Sequence, residues 1–108
     1  MARRDLDRAG AGQRHQVTAG DLVILRLPET PTSGYRWALD GYDPDVLRLA
    51  GDEFRPAAGS ALGGGGEREF RFSVVGAGSS PLRLARRRAW AGAGGAAEQF
   101  EATIEATD

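Results

Sequence analysis

Apolar side chains recur at every second position in three segments of this 108-residue chain, and this periodicity constrains the fold more than any other feature. The positions between them carry mainly Arg, Glu, Ser and Thr. Alternate side chains of a strand point to opposite faces, so the pattern predicts strands with one buried and one solvated face. The apolar sets are Tyr35, Trp37 and Leu39; Phe70, Phe72 and Val74; and Phe100, Ala102, Ile104 and Ala106.

About seven short strands are predicted in all, each bounded by residues that favour turns, chiefly Gly and Pro. This arrangement is typical of two packed sheets. We therefore predict an all-β fold, an antiparallel β-sandwich formed by residues 13–108 as a single domain. Residues 1–12 are polar and lack periodicity, and we expect them to form a flexible N-terminal tail. The predicted strands are 13–17, 22–27, 35–40, 46–54, 67–75, 82–88 and 98–106.

The composition excludes several kinds of chemistry. The chain has no cysteine, and Lys and Asn are also absent. No thiol nucleophile, disulfide, thiolate metal site or Schiff-base lysine is therefore available. His15 is the single histidine and lies at the fringe of the predicted fold. We predict that the chain is not an enzyme and binds no cofactor or metal.

Charge is balanced along the chain. Fourteen basic residues are interspersed with fifteen acidic ones, for a net charge of −1, so no field of one sign is present to attract nucleic acid. Residues 1–16 include basic side chains but no apolar stretch, so neither a signal peptide nor a membrane span is predicted. As written, the sequence predicts a cytoplasmic monomer, whereas a longer precursor would permit export, and the compartment stays open.

Three connections between predicted strands are unusually rich in Gly or Pro, and they span residues 28–34, 55–66 and 88–95. In an antiparallel sandwich, successive connections alternate between the two ends, so connections separated by two strands share an end. We therefore expect these three to lie together, as the binding loops of immunoglobulin variable domains do. The other end receives short turns at residues 18–21 and 76–81.

The same three connections carry a resemblance to a known family. Residues 30–37 read Thr-Pro-Thr-Ser-Gly-Tyr-Arg-Trp, a glycine cluster follows at 63–66, and residues 88–90 read Arg-Ala-Trp. This ordered set, over about residues 17–106, resembles the chagasin-like inhibitors of cysteine peptidases. Their pattern is Asn-Pro-Thr-Thr-Gly-Tyr-x-Trp, then a Gly-containing motif, then Arg-Pro-Trp.

The resemblance implies an immunoglobulin-like sandwich that inhibits papain-like cysteine proteases reversibly, by placing three loops in the active-site cleft. Thr32 would approach the catalytic cysteine, the glycines would lie against one wall of the cleft, and Trp90 would pack on the primed side. From the residues themselves, Arg88 is expected to brace Trp90 by stacking. The implied protease-binding residues are Thr30, Pro31, Thr32, Ser33, Gly34, Gly63, Gly64, Gly65, Gly66, Arg88 and Trp90.

Two positions depart from the family pattern. Thr30 stands where the family has Asn, and Ala89 stands where it has Pro. Thr supports a turn more weakly than Asn, and losing a compatible Pro costs about 0.4–1 kcal/mol of preorganisation. We predict weaker inhibition than intact motifs give, and a lower inhibition constant after Thr30→Asn and Ala89→Pro are made together.

Other interpretations of the same residues stay open at the level of sequence. The loops are also compatible with an immunoglobulin-like carbohydrate-binding or adhesion module, or with a structural domain whose glycines only connect strands. Trp90 is compatible with a core position, and residues 86–88 with a solvated strand end. Tyr35 and Trp37 are expected in the core because they share the apolar face with Leu39.

Overall fold

The computed structural model describes residues 2–57, 65–88 and 98–108, apart from the side chain of Pro31. Eight strands and two short 3₁₀ helices make up the regular structure of these residues. Among the described residues, no helix is long and apolar enough to cross a membrane. The strands are β1 (Arg3–Leu6), β2 (Arg14–Thr18), β3 (Leu22–Glu29), β4 (Tyr35–Tyr42), β5 (Leu47–Pro56), β6 (Gly66–Val74), β7 (Gly78–Arg88) and β8 (Glu98–Thr107). The 3₁₀ helices are η1 (Arg8–Gly10) and η2 (Pro31–Ser33).

The strands form two four-stranded sheets, ordered β1-β3-β6-β5 and β2-β8-β7-β4. The central pairs β3–β6, β5–β6, β7–β8 and β4–β7 are antiparallel, whereas β1 and β2 add to the edges in parallel with β3 and β8. The predicted β-sandwich is therefore confirmed, and the seven predicted strands correspond to β2–β8. Consecutive strands β3 and β4 lie in different sheets, so the chain crosses between the sheets at that connection.

The core lies between the sheets and is built from the side chains that the alternation places inward. Trp37, Phe70, Phe72 and Phe100 are among the largest fully buried side chains. Burying an apolar side chain of this size stabilises the fold by about 1.5–3 kcal/mol. On the predicted apolar face of β4, Trp37 is buried in the core, as expected. Tyr35 at the start of the strand is only half-buried and lies outside the core cluster, so the expected core position is wrong for Tyr35.

The N-terminal segment differs from its prediction. Residues 1–12 were expected to be a flexible tail, yet Arg3–Leu6 pairs with β3 in parallel, with Arg3 opposite Leu22 and Leu6 opposite Leu25. Leu6 belongs to the core cluster. The other three residues of β1 are exposed, so the segment has too few apolar positions for a detectable alternation. Its stability comes from the unpaired edge of β3, which a sequence pattern does not reveal.

The far end of the sandwich also differs in detail. Residues 76–81 were expected to form a turn, but β7 already begins at Gly78, which has a φ of 135°. Ser80 and Pro81 therefore pair with β8 instead of forming the turn. The connection is shorter than predicted because glycine accepts this backbone conformation at the start of the strand.

Candidate functional site

The stems of the three Gly- and Pro-rich connections lie at the same end of the sandwich, which is hereafter the loop end. Within the first sheet, Gly66 at the start of β6 is paired with Glu29 at the end of β3 and with Pro56 at the end of β5. Within the second sheet, Tyr35 at the start of β4 is paired with Arg88 at the end of β7. The connections β3–β4, β5–β6 and β7–β8 therefore all leave from this end, as the alternation of antiparallel strands predicts.

The first connection, residues 30–34, is a short turn held by its own hydrogen bonds. The backbone N–H and the side-chain hydroxyl of Ser33 both donate to the carbonyl of Thr30, at 3.0 and 2.6 Å. The Ser33 hydroxyl in turn accepts from the backbone N–H of Tyr35 at 3.2 Å. Gly34 has a φ of 80°, a conformation that favours glycine, as its position in the predicted reversal required. Thr32 is exposed at the turn of η2.

Two side chains tie the stems of this turn together across the gap between the sheets. The indole Nε1 of Trp37 donates to the carbonyl of Pro28 at 2.8 Å, and the backbone N–H of Trp37 donates to Oε1 of Glu29 at 2.8 Å. β3 and β4 belong to different sheets and share no ladder, so these contacts replace the cross-strand hydrogen bonds that a hairpin would have. Trp37 is thus in the core, as predicted, and also holds the loop.

Glu29 is a functional candidate that the sequence motifs did not single out. It is only 4% exposed, and its Oε2 accepts from Nε and Nη2 of Arg68 at 3.1 and 2.9 Å. Arg68 also donates to Asp52 at 3.2 Å. Burial by itself would lower the pKa of the Arg68 guanidinium. The hydrogen bonds and negative charges of Glu29 and Asp52 outweigh this effect, so the pKa of Arg68 lies above its ordinary value. A signal was present in the sequence, since Glu29 follows Leu25 and Leu27 on the inward face of β3.

The described part of the second connection contains Gly65 and Gly66, which have different roles. A Cβ on Gly66 would lie 2.7 Å from the ring of Phe54 and 2.9 Å from Cα of Pro56, and would also clash with the carbonyl of Arg55. This glycine is therefore required by the packing of β5 on β6. A Cβ on Gly65 would lie 3.4 Å from Oγ1 of Thr30, so Gly65 of the second connection lies next to Thr30 of the first. Gly63 and Gly64 lie outside the described residues.

The described part of the third connection ends at Arg88, at the end of β7. Its guanidinium lies 5.5 Å from the ring centroid of Tyr35, and its Nε donates to the Tyr35 hydroxyl at 3.2 Å. The guanidinium of Arg86 lies 5.7 Å from the same ring. Arg87 instead makes two hydrogen bonds to Asp40, at 2.8 and 2.7 Å, which lower the pKa of that carboxyl. Trp90, and with it the predicted contact with Arg88, lies outside the described residues.

His15 is buried, and its Nε2 lies 3.0 Å from the carbonyl oxygen of Gly10. Gly10 belongs to η1 and His15 to β2, and Arg8 of η1 forms an ion pair with Glu98 at the start of β8. Across residues 2–57, 65–88 and 98–108, no group of three or more His, Asp or Glu side chains is arranged to hold a metal ion. The chemistry that these residues offer at the loop end is recognition by hydroxyls, backbone, an aromatic ring and guanidinium groups.

Solved structures with the same fold include a cysteine protease inhibitor and a protein in complex with falcipain-2. The cysteine protease inhibitor EhICP2 from Entamoeba histolytica superposes with a TM-score of 0.85 at 18% identity, covering 98% of this chain and 96% of that one. PbICP-C, solved in complex with falcipain-2, superposes with a TM-score of 0.72 at 12% identity, covering 96% and 99%. At these identities the likeness establishes the shared fold.

Sequence comparison establishes the family. Chagasin from Trypanosoma cruzi is 28% identical over 103 residues, which cover 92% of this chain and 94% of chagasin. The profile of the chagasin family of peptidase inhibitors, I42, matches residues 16–104, which include all three connections. The resemblance deduced from the three motifs is thus confirmed, and the chain belongs to the chagasin family of peptidase inhibitors.

Proposed function

We propose that this chain is a reversible inhibitor of papain-like cysteine proteases that occludes the active-site cleft with the three connections of the loop end. The observation that carries the proposal is the convergence of the stems of all three connections, Glu29 with Gly66 and Tyr35 with Arg88, on one end of a rigid sandwich. Family membership supplies the class of partner, since relatives and structural neighbours are inhibitors of cysteine proteases. The chain acts by binding and is not an enzyme.

Thr32 is the residue proposed to approach the catalytic cysteine. It is exposed at the turn of η2, and Pro31, Ser33 and Gly34 shape the backbone on either side. The hydrogen bonds from Ser33 to the Thr30 carbonyl hold this turn before any partner is present. A turn that is already ordered loses little conformational entropy on binding, which allows a modest contact area to give high affinity.

The same rigidity accounts for inhibition without cleavage. A cleaved substrate must present a peptide bond to the nucleophile in attack geometry. A 3₁₀ turn, closed by hydrogen bonds at 2.6 and 3.0 Å, does not extend along the cleft as a substrate does. The turn therefore fills the site near the nucleophile without delivering a scissile bond.

The flanking connections are proposed to contact the two walls of the cleft. Gly65 lies beside Thr30, so this residue of the second connection adds to the surface that the first connection presents. Arg88, together with Trp90, would supply the contact on the other side, and a tryptophan anchor at an interface is often worth about 2 kcal/mol or more. Protease–inhibitor interfaces bury about 1,600 Å² in total, a size that three adjacent loops can provide.

Inhibition of papain, followed with a fluorogenic peptide substrate, tests the proposal. We expect competitive inhibition, an inhibition constant raised about tenfold or more by Thr32→Ala, and no change with Thr18→Ala. Thr18 is an exposed threonine at the end of β2, on the opposite end of the sandwich, and so is a matched control. An absence of inhibition at micromolar concentration would refute the proposal, and so would equal effects of the two substitutions.

A further inference from the structure

The carboxylate of Glu29 lies between the two sheets at the loop end, next to the first connection. Glu29 is the last residue of β3, and residue 30 begins the turn. Its side chain is only 2% exposed, so the charge is removed from water between the two sheets. A buried carboxylate is unfavourable unless it is fully paired, and its retention requires an explanation from its partners.

Glu29 links strands of both sheets. Oε1 accepts from the backbone N–H of Trp37 in β4, and Oε2 accepts from two nitrogens of Arg68 in β6. β4 is an edge strand, and an edge strand has backbone N–H groups without a ladder partner. The carboxylate satisfies one of these groups and thereby fixes where β4 begins relative to β3.

Arg68 extends the same contact to the second connection. It lies two positions after Gly66, at which β6 begins, and its side chain is 13% exposed. Its hydrogen bond to Asp52 in β5 secures the other stem of that connection. A Cβ on Gly65 would lie 3.4 Å from Thr30 Oγ1, so Gly65 of the second connection lies next to Thr30 of the first.

We propose that Glu29 is a positioning residue of the inhibitory surface, and that the Glu29–Arg68 pair couples the first connection to the second. A displacement of the carboxylate releases the stem of the first turn at Trp37 and the stem of the second connection at Arg68 together. A buried ion pair adds little net stability compared with an apolar pair of similar size, so stability alone does not account for its presence. The inference rests on the proposed function, because it concerns the affinity of that same surface.

Glu29→Gln tests the inference with little change in shape. The amide oxygen still accepts from Trp37, but the charge that binds Arg68 is gone. We expect the inhibition constant for papain to rise about tenfold, which corresponds to about 1.4 kcal/mol, mainly through faster dissociation. If the glutamine variant does not fold, Arg68→Lys keeps the positive charge, loses the two-nitrogen contact and is expected to weaken inhibition similarly.

Glu69→Gln is the matched control. Glu69 is also buried in β6, and its carboxylate is paired with Arg26, Arg55 and Arg71 away from the first turn. We expect this variant to lose thermal stability to a comparable degree, with an inhibition constant within twofold of that of the parent chain. Inhibition that falls equally in both glutamine variants would show a merely structural role for Glu29 and overturn the inference.

Backbone amide chemical shifts of the isolated chain separate this inference from the proposed function. Glu29→Gln is expected to shift the amide signals of both Thr32 and Gly65, and Glu69→Gln to leave that of Thr32 unchanged. A shift confined to one of the two connections would overturn the coupling. If the parent chain fails to inhibit papain, the proposed function is wrong and the assignment to an inhibitory surface falls with it, whereas the shifts still test the coupling itself.

Discussion

Replacing Trp37 by phenylalanine is expected to reduce both stability and the order of the first connection. The side chain is 2% exposed, and its Nε1 donates to the Pro28 carbonyl at 2.8 Å. Phenylalanine keeps an aromatic ring in the core but has no N–H group and a smaller volume. The substitution therefore removes one of the two contacts between the stems of the turn and leaves a cavity beside the other.

The magnitude follows from these two losses. A hydrogen bond of this kind contributes about 1 kcal/mol net. A partial cavity in a core that cannot fully relax adds roughly 1–2 kcal/mol. The free energy of unfolding should therefore fall by about 2–3 kcal/mol, which for a domain of this size lowers the melting temperature by roughly 10–20 °C.

Denaturant unfolding followed by tryptophan and tyrosine fluorescence, with calorimetry in parallel, measures this loss. Tyr42→Phe is a suitable control, because Tyr42 lies on the same strand, packs edge-on against Phe72 and is only partly buried. The control should change the free energy of unfolding by no more than about 0.5 kcal/mol, as expected away from buried networks. A loss below about 0.5 kcal/mol for Trp37→Phe, or equal losses for the two variants, would refute the reasoning.

Three further predictions follow from other parts of the structure. Gly66→Ala should destabilise the fold by about 1–3 kcal/mol, because the added methyl group overpacks against β5. Gly65→Ala should have a much smaller effect on the free energy of unfolding. Denaturant titrations that show the reverse order would contradict the packing described. Burial opposes the ionisation of Glu69, but its arginine partners outweigh it, so its pKa lies below the ordinary 4.5, and the pKa of Asp40 is lowered by its arginine partner. Carboxyls with a lowered pKa stabilise the fold at any pH above the pKa they have in the unfolded chain, and this contribution is lost as the pH falls through their pKa in the folded protein. The denaturant concentration at the unfolding midpoint should therefore fall progressively below about pH 4.5. A midpoint that stays constant from pH 6 to 3 would contradict this. Leu6→Ala should lower the free energy of unfolding by about 2 kcal/mol, because Leu6 packs in the core. An unchanged free energy of unfolding would contradict the packing of β1 against the sandwich.

The alternation of apolar residues predicted most of the fold because it records directly which face of each strand is buried. Phe70, Phe72 and Phe100 are inward and fully buried, as their spacing indicates. The parity of the connections predicted which of them share an end, since it depends only on strands running in alternate directions. The register confirms this at Glu29–Gly66 and Tyr35–Arg88.

What the sequence did not predict depends on contacts between distant segments. β1 has one inward apolar residue, Leu6, and exists because the edge of β3 offers unpaired backbone groups. The partners of Glu29 are 8 and 39 positions away, so no local pattern links them. An acidic residue on an otherwise apolar inward face is the one signal that could have identified it. The motif residues Gly63, Gly64 and Trp90 keep their predicted roles as hypotheses.

The most direct test of the central claim maps which end of the sandwich a protease contacts. Backbone amide spectra of the isotope-labelled chain would be recorded with and without papain whose catalytic cysteine has been blocked by a small alkyl group. The account predicts shifted or broadened signals for Thr32, Gly65 and Arg88 and unchanged signals at the opposite end, for Thr18 and Gly78. Perturbation of the opposite end, or of only one of the three connections, would contradict it.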